Sequence, residues 1–305
     1  MRLRDIVLTV LLPVYNRGSL TGEFIGHLVS LLGADFPLNI VLFDDNSNDH
    51  TIQYAKHVYP GAIVVSMDGN SYWGGGINAA SHFVRTSSVL GLSSSFFMLA
   101  NDDIRFPSVN ALFSAFDALI SSPIVAARGL LVPSLQHTIS HEDIVQSLCG
   151  FHGIHYDPSH GVFREAHGSH EVNVSSTWAL IASRDVWLET VSVPHSIPHY
   201  LSDYWLTYHW TRSGYSIAHP NEFVCLVSSS STRNVVCPKL NSGFCKRSTW
   251  IARRLTEVTS PNYSPAWICF WSQPPVTQFV FRLIAIRRIK FLFAKAWLAL
   301  FKKWE

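Results

Sequence analysis

Charge is what this chain has least of. Only 14% of its 305 residues are Asp, Glu, Lys or Arg, against 48% hydrophobic residues. That balance excludes a disordered chain and leaves enough apolar matter for a full core. Cysteine is also scarce: Cys149, Cys225, Cys237, Cys245 and Cys269 are odd in number and show no CxxC spacing. Neither a disulfide framework nor a structural zinc site is encoded, and a reducing compartment is expected. No stretch reaches the roughly 18 uninterrupted apolar residues of a membrane span. The start, Met1–Arg4 before an apolar run, superficially resembles a signal peptide. It has no small-residue cleavage site and runs into Pro13-Val14-Tyr15-Asn16-Arg17-Gly18, so a first buried strand is the better reading. Neither GxxxxGK[ST] nor GxGxxG occurs, which points away from phosphate-loop ATPases and dinucleotide enzymes.

What the chain does have is two acidic clusters, each closing an apolar run. Asp44-Asp45-Asn46-Ser47-Asn48-Asp49 follows Asn39–Phe43, and Asn101-Asp102-Asp103 follows Phe96–Ala100. Both runs have the length and composition of strands buried on two faces. Carboxylates at the carboxyl end of such strands sit where open α/β sheets bind ligands. One cluster there can read a base and ribose while the other holds a divalent metal against a diphosphate.

The first half alternates strand-like and helix-like segments. Strands are expected over residues 6–12, 39–43, 62–66 and 96–100, and helices over 20–32, 51–58 and 77–85, the last opening after a glycine run. This implies a mostly parallel sheet with helices on both faces. From about 121 to 171 the pattern blurs among histidines (His137, His141, His152, His155, His160, His167, His170) whose spacing is too irregular for a metal site. A strand over 174–182 carrying Trp178, a helix over 203–213 stopped by Gly214, and a short strand over 215–218 follow. Serine-rich stretches at 228–232 and 241–248 read as a mobile loop. There are no internal repeats.

Five blocks, in order, resemble the inverting family 2 glycosyltransferases of GT-A fold, in particular a bacterial surface-polysaccharide, rhamnosyltransferase-like subset. They are Leu12-Pro13-Val14-Tyr15-Asn16-Arg17; Phe43-Asp44-Asp45-Asn46-Ser47-Asn48-Asp49; Gly69-Asn70-Ser71-Tyr72-Trp73-Gly74-Gly75-Gly76-Ile77-Asn78; Leu99-Ala100-Asn101-Asp102-Asp103-Ile104; and Pro198–Tyr204 with Arg212-Ser213-Gly214-Tyr215. Each is weak alone and the ordered set is strong. The resemblance covers roughly residues 6–220. It implies a nucleotide-sugar site at Pro13, Tyr15, Arg17, Asp45, Ser47, Trp73, Gly74, Gly75, Asn78 and Asp102, and a metal, Mg²⁺ or Mn²⁺, on Asp103. It also implies a general base at Asp203 and an acceptor side at Trp178, His199 and Tyr200. Processive synthases of the family carry a QxxRW motif that is missing here, so transfer of a single sugar per encounter is expected.

Elementary chemistry supports several of these roles without the family. Asp45, just past a buried strand, can accept from a pyrimidine N–H or ribose hydroxyls. Ser47, Asn48 and Asp49 are good caps for a helix beginning at Thr51, and capping is the better account of Asp49. A diphosphate leaving group asks for a divalent ion on one or two carboxylates; Asn101, in place of a first acid, brings an oxygen but no charge. The glycines of the third block suit close backbone approach to a ligand, with helix N–H groups offered to phosphate, while Trp73 can stack on a ligand or anchor the core. Asp203 can deprotonate an acceptor hydroxyl. The helix dipole lowers its pKa and burial among Tyr204, Trp205 and Trp178 raises it. His199 is a weaker base candidate, and Arg212 orients an acid or caps a helix end.

Seven basic residues and no acid lie between Val276 and Trp304, leaving 16 basic and 20 acidic residues in the first 275 positions. Arg288, Lys295 and Lys302 recur every seven residues among large apolar side chains, as in a basic amphipathic helix on an anionic membrane surface; nucleic-acid binding is disfavoured. The expected organisation is a GT-A domain over 1–225 (a nucleotide-binding half over 1–110 and an acceptor-binding half over 111–225), a mobile loop region over 226–262 and a helical tail over 263–305. The expected function is metal-dependent transfer of one sugar from a nucleotide-sugar donor to a glycan or lipid-linked acceptor in surface polysaccharide or lipopolysaccharide assembly. The expected setting is the cytoplasm, peripherally on the inner face of the cell membrane. Two rivals stand beside it: an inactive membrane-associated nucleotide-sugar-binding module, and a sugar nucleotidyltransferase.

Overall fold

Strands β1 (Leu8–Val14), β2 (Leu38–Asp44) and β4 (Phe96–Ala100) are almost wholly buried, as apolar runs of this length must be when helices cover both sheet faces. They belong to a computed structural model that describes residues 6–88, 96–138, 154–158, 162–166 and 172–228. The tail, the loop region from 229 onward, four of the cysteines and most of the His-rich segment lie outside the described residues; Cys225 is a buried free thiol.

The main sheet has seven strands. With β3 (Ile63–Ser66), β6 (Gly129–Leu131), β10 (Ala179–Ser183) and β11 (Ser216–Ala218), its order is β11-β6-β10-β4-β1-β2-β3. Strands β3, β2, β1 and β4 are mutually parallel, and β10 runs antiparallel to β4. Strand order reverses between β1 and β4, so the crevice for a ligand lies at their carboxyl ends. The ladder between β1 and β4 stops at Leu11, which leaves Pro13, without an N–H, where β1 has parted from β4.

Alternation along each strand feeds two cores. Leu11, Val41, Phe43, Phe97, Leu99, Leu180 and Ala182 face one side, where α3 (Tyr72–Thr86), α6 (Arg184–Leu188) and α7 (Ser202–Arg212) pack. Val10, Leu12, Ile40, Leu42, Met98 and Ile181 face the other, against α1 (Gly18–Leu32), α2 (Thr51–Val58) and α4 (Val109–Ser121). A smaller sheet joins β5 (Ile104–Arg105), β12 (Val224–Ser228) and β7 (Ser134–Thr138), and a hairpin joins β8 (Ile154–Asp157) to β9 (Val162–Glu165). A short α5 (Pro123–Arg128) links α4 to β6. The mixed α/β layering matches the expected class. Among the described residues no helix is long and apolar enough to cross a membrane.

Two expected elements move. The helix expected from Ile77 begins at Tyr72, because Gly74, Gly75 and Gly76 are inside its first turns. The strand expected over 174–182 is β10, Ala179–Ser183, since 174–177 is occupied with α7: Ser175 N–H donates to Thr207 Oγ1 at 3.0 Å.

Candidate active site

The loops after β1 and β2 are stitched together by their own polar side chains. Asn16 N–H donates to Ser47 Oγ (3.0 Å) and Asn48 N–H to Asn16 Oδ1 (2.8 Å). Arg17 N–H donates to Thr51 Oγ1 (2.9 Å), while Asp49 accepts from Gly18 N–H (3.1 Å) and Thr51 N–H (2.8 Å). Although burial works against it, those bonds hold the Asp49 carboxyl below the ordinary carboxylate range. Asp49 thus joins the starts of α1 and α2, the capping role that its residue type favours, while Ser47 ties the β2 loop to the β1 loop at Asn16.

Arg17 spans the crevice between β1 and β4. Its Nε lies 2.7 Å from Asp102 Oδ1 and its Nη2 3.0 Å from Asp103 Oδ2. Thr21, one turn along α1 from Arg17, donates to Asp102 Oδ2 at 2.8 Å. Burial pushes the Asp102 carboxyl above its ordinary range, opposed by Arg17 and Thr21. Two oxygens on this turn have no partner: Asn101 Oδ1 and Asp103 Oδ1, both buried. Buried acceptors without donors are uncommon, and a pair of hard oxygens suits Mg²⁺ or Mn²⁺ rather than a soft ion. No group of three or more His, Cys, Asp or Glu among the described residues could hold a metal. A divalent ion here would take these oxygens from the described residues and complete its shell with phosphate and water, as Mg²⁺ characteristically does.

The glycine-rich block does something other than expected. Asp45 accepts from the N–H groups of Gly69 (3.0 Å), Ser71 (3.1 Å) and Tyr72 (3.0 Å), so its carboxylate caps the start of α3 and is bonded to backbone rather than open to a base. The glycines serve packing. A Cβ on Gly74 would come 2.6 Å from the Ile197 carbonyl oxygen, and one on Gly76 would come 2.7 Å from Pro13 Cβ. Gly74 N–H donates to Pro198 O at 2.7 Å, tying α3 to the segment that leads into α7. Trp73 is half-buried against the core, the anchoring role. Asn78 spends both ends of its amide on the Val193 backbone, donating to its carbonyl (2.9 Å) and accepting from its N–H (2.8 Å).

Asp203 opens α7, across the crevice. The Asn101 N–H donates to Trp178 O at 3.0 Å, and the neighbouring Thr177 N–H donates to the Asp203 carboxyl, which also accepts from Tyr204 N–H at 3.1 Å. Two hydrogen bonds and the Thr177–Trp178 peptide thus link Asp203 to the Asn101–Asp103 turn. Some of the residue's surface reaches solvent, yet protein surrounds the carboxyl on most sides, and burial raises it to about 6 despite those amides. Burial pushes the His199 imidazole below its ordinary pKa, and its Nδ1 is buried without a partner. It sits edge-on to Tyr72 (centroids 6.5 Å) and Tyr200 (4.9 Å). Tyr15, Tyr72 and Tyr200 are exposed. A pocket of about 310 Å³ lined by Tyr208, Arg212 and Tyr215 lies elsewhere, toward the other end of α7.

Backbone strain gathers at this end of the sheet. Among the described residues the non-glycine positive φ values are at Asn16 (50°), Asn46 (62°), Tyr72 (53°) and Leu201 (72°), after β1, after β2, at the start of α3 and just before α7. For Tyr and Leu such angles are outliers that surrounding structure must enforce, and they cluster at functional sites. Thr21, the Thr177 amide and Leu201 were not picked out by sequence reasoning. Only Thr21 left a signal, four positions after Arg17 on one helix face.

Residues 9–105 match the family model for glycosyl transferase family 2, a span that includes Arg17, Asp45 and Asp103. No curated protein matches the chain by sequence. Among solved structures it is similar to the mannosyltransferase PcManGT from Pyrobaculum calidifontis in complex with GDP-Man and Mn²⁺ (TM-score 0.52, 16% identity, 98% of this chain and 72% of that one). It is also similar to S. aureus TarS 1–349 (TM-score 0.50, 14% identity, 94% and 83%). A third is GalNAc-T7 with UDP, GalNAc and Mn²⁺ (TM-score 0.52, 12% identity, 73% of this chain and 44% of that one). At these identities the likeness is one of fold. The chain has the GT-A fold, and a family 2 match on that fold supports a glycosyltransferase.

Proposed function

We propose that this protein is a metal-dependent, inverting glycosyltransferase that moves one sugar from a nucleoside-diphosphate sugar to a hydroxyl of a glycan or lipid-linked acceptor. The observation that carries the reading is the Asp203 carboxyl, raised to about 6 and linked through Thr177 and Trp178 to the Asn101–Asp103 turn. A carboxylate with a pKa close to neutral is matched to general-base work. Asp203 would accept the proton of the acceptor hydroxyl as that oxygen forms its bond to the anomeric carbon. The bond from that carbon to the phosphate oxygen breaks with inversion, and the nucleoside diphosphate leaves. Asp103 and Asn101 would hold the ion, which when bound neutralises charge building on the departing diphosphate. Arg17 faces the same charge. Tyr72, His199 and Tyr200 give the acceptor side an aromatic rim suited to sugar faces.

Neighbours solved with GDP-Man or with UDP and GalNAc support a nucleoside-diphosphate donor. The cationic tail supports an acceptor held at an anionic membrane surface, with surface polysaccharide or lipopolysaccharide assembly on the cytoplasmic face as the setting. The test is a thermal-shift panel of UDP-, GDP-, dTDP- and CMP-sugars with and without Mn²⁺. One nucleotide family should stabilise the protein in a Mn²⁺-requiring manner, and Asp103→Ala should abolish the shift. A folded protein that no donor stabilises would overturn the proposal.

A further inference from the structure

Arg17 already occupies the acidic turn as a cation. Its side chain is 33% exposed, whereas those of Asp102 and Asp103 are 4% and 9% exposed, so the guanidinium closes the pair toward the crevice. Its position is fixed from behind, because its backbone N–H is bonded to Thr51 and Asp102 is bonded to Thr21. One guanidinium on two carboxylates leaves one negative charge uncompensated. A divalent ion taken up alone on Asn101 Oδ1 and Asp103 Oδ1 would reverse that sign, with a second cation 3.0 Å from the other Asp103 oxygen. Like charges that close in a partly desolvated site repel strongly. A diphosphate restores the balance, because it offers anionic oxygens to the ion and to a guanidinium whose fork suits phosphate.

We propose that Arg17 is the resident counter-cation of the Asp102–Asp103 pair and keeps the divalent-ion seat weak until a diphosphate arrives, so that ion and donor are taken up together. This rests on the metal-dependent reading above. Arg17 is then a positioning residue for the ion as well as a phosphate contact.

The test is Mn²⁺ binding to the full chain without nucleotide, followed by the electron paramagnetic resonance signal of free Mn²⁺. Arg17→Gln should bind Mn²⁺ about tenfold tighter than wild type, the order of a charge-assisted bond removed. Arg17→Lys should stay near wild type, and adding Asp103→Asn to Arg17→Gln should erase the gain. Equal or weaker binding by Arg17→Gln overturns the inference and leaves the metal-dependent reading standing. Binding by neither protein at millimolar Mn²⁺, alone or with UDP or GDP, overturns both. Should Arg17→Gln fail to fold, wild type carries the test. The thermal shift from Mn²⁺ plus UDP or GDP should exceed the sum of the separate shifts, and additive shifts overturn the inference.

Discussion

The two sides of the crevice are built on opposite terms. On the β1–β2–β4 side the acids are already bonded: Asp44 to Ser47, Asp49 to Gly18 and Thr51, Asp45 to three amides, Asp102 to Thr21 and Arg17. On the β10–α7 side buried polar atoms stand without partners, among them Ser175 Oγ, Thr177 Oγ1 and His199 Nδ1, and Asp203 keeps a carboxyl that burial makes reluctant to ionise. Outside the acidic turn, where Asn101 Oδ1 and Asp103 Oδ1 stand without partners, that first wall is a bonded and so preorganised network, held before any ligand arrives. An unsaturated side has bonds left for a ligand. Under the proposed function, donor geometry is preset on one wall and chemistry waits on the other.

Substitutions can break that contrast, those at Asp203 and Asp103 most sharply. Asp203→Asn should lower turnover on the order of 10²- to 10⁴-fold with donor binding intact, measured as nucleoside diphosphate released and as thermal shift. Asp103→Ala should cost a hundredfold or more, about 3 kcal/mol of transition-state stabilisation, and should remove the metal-requiring part of nucleotide binding. Gly74→Ala sets a Cβ against the fixed Ile197 carbonyl. It should destabilise the fold by about 1–3 kcal/mol in urea titration and lower turnover by shifting the lead-in to α7. Asn78→Ala releases only the Val193 clamp. A loss of about 1–2 kcal/mol with unchanged donor affinity is expected, and a fall in donor affinity would return Asn78 to the binding site.

The smallest effect sharpens the comparison through pH. Folded Asp203 holds its proton with a pKa of about 6 against an ordinary 3.8, so it binds more protons folded than unfolded between those values. Wild type therefore loses stability as pH rises from about 4 through about 6, and the cost is complete above that. Asp203→Asn should be more stable than wild type at pH 7.5 by roughly 1–2 kcal/mol after discounting for solvent screening. The gap should vanish below pH 4, as checked by denaturation at both pH values.

Much of the β1–β4 side is legible in the sequence. Buried strands ended by acids mark β2 and β4 together with their ligand-facing ends, and an apolar run into Pro13-Val14-Tyr15-Asn16-Arg17 marks β1. Helix α2 and strand β4 begin and end where periodicity sets them. The start of α3 was hidden because three glycines read locally as a loop. What makes them helical is distant: Pro13 against Gly76, and Ile197 with Pro198 against Gly74. The partners of Asp45 were hidden for the same reason, being amides 24 to 27 positions away. Strands β6 to β9 span three to five residues each, too few for a period to declare itself. On the other wall Asp203 could be singled out. The sequence set helix dipole against burial there, and the fold decides for burial by packing protein around the carboxyl.

The most direct test is turnover of the stabilising sugar nucleotide across pH 5 to 8 by wild type and Asp203→Asn, with donor binding measured on the same samples. The account predicts wild-type turnover that rises through pH 6 to a plateau, and a variant that binds donor equally but turns over at a low rate without that rise. A variant that keeps the wild-type rate and pH profile would contradict it.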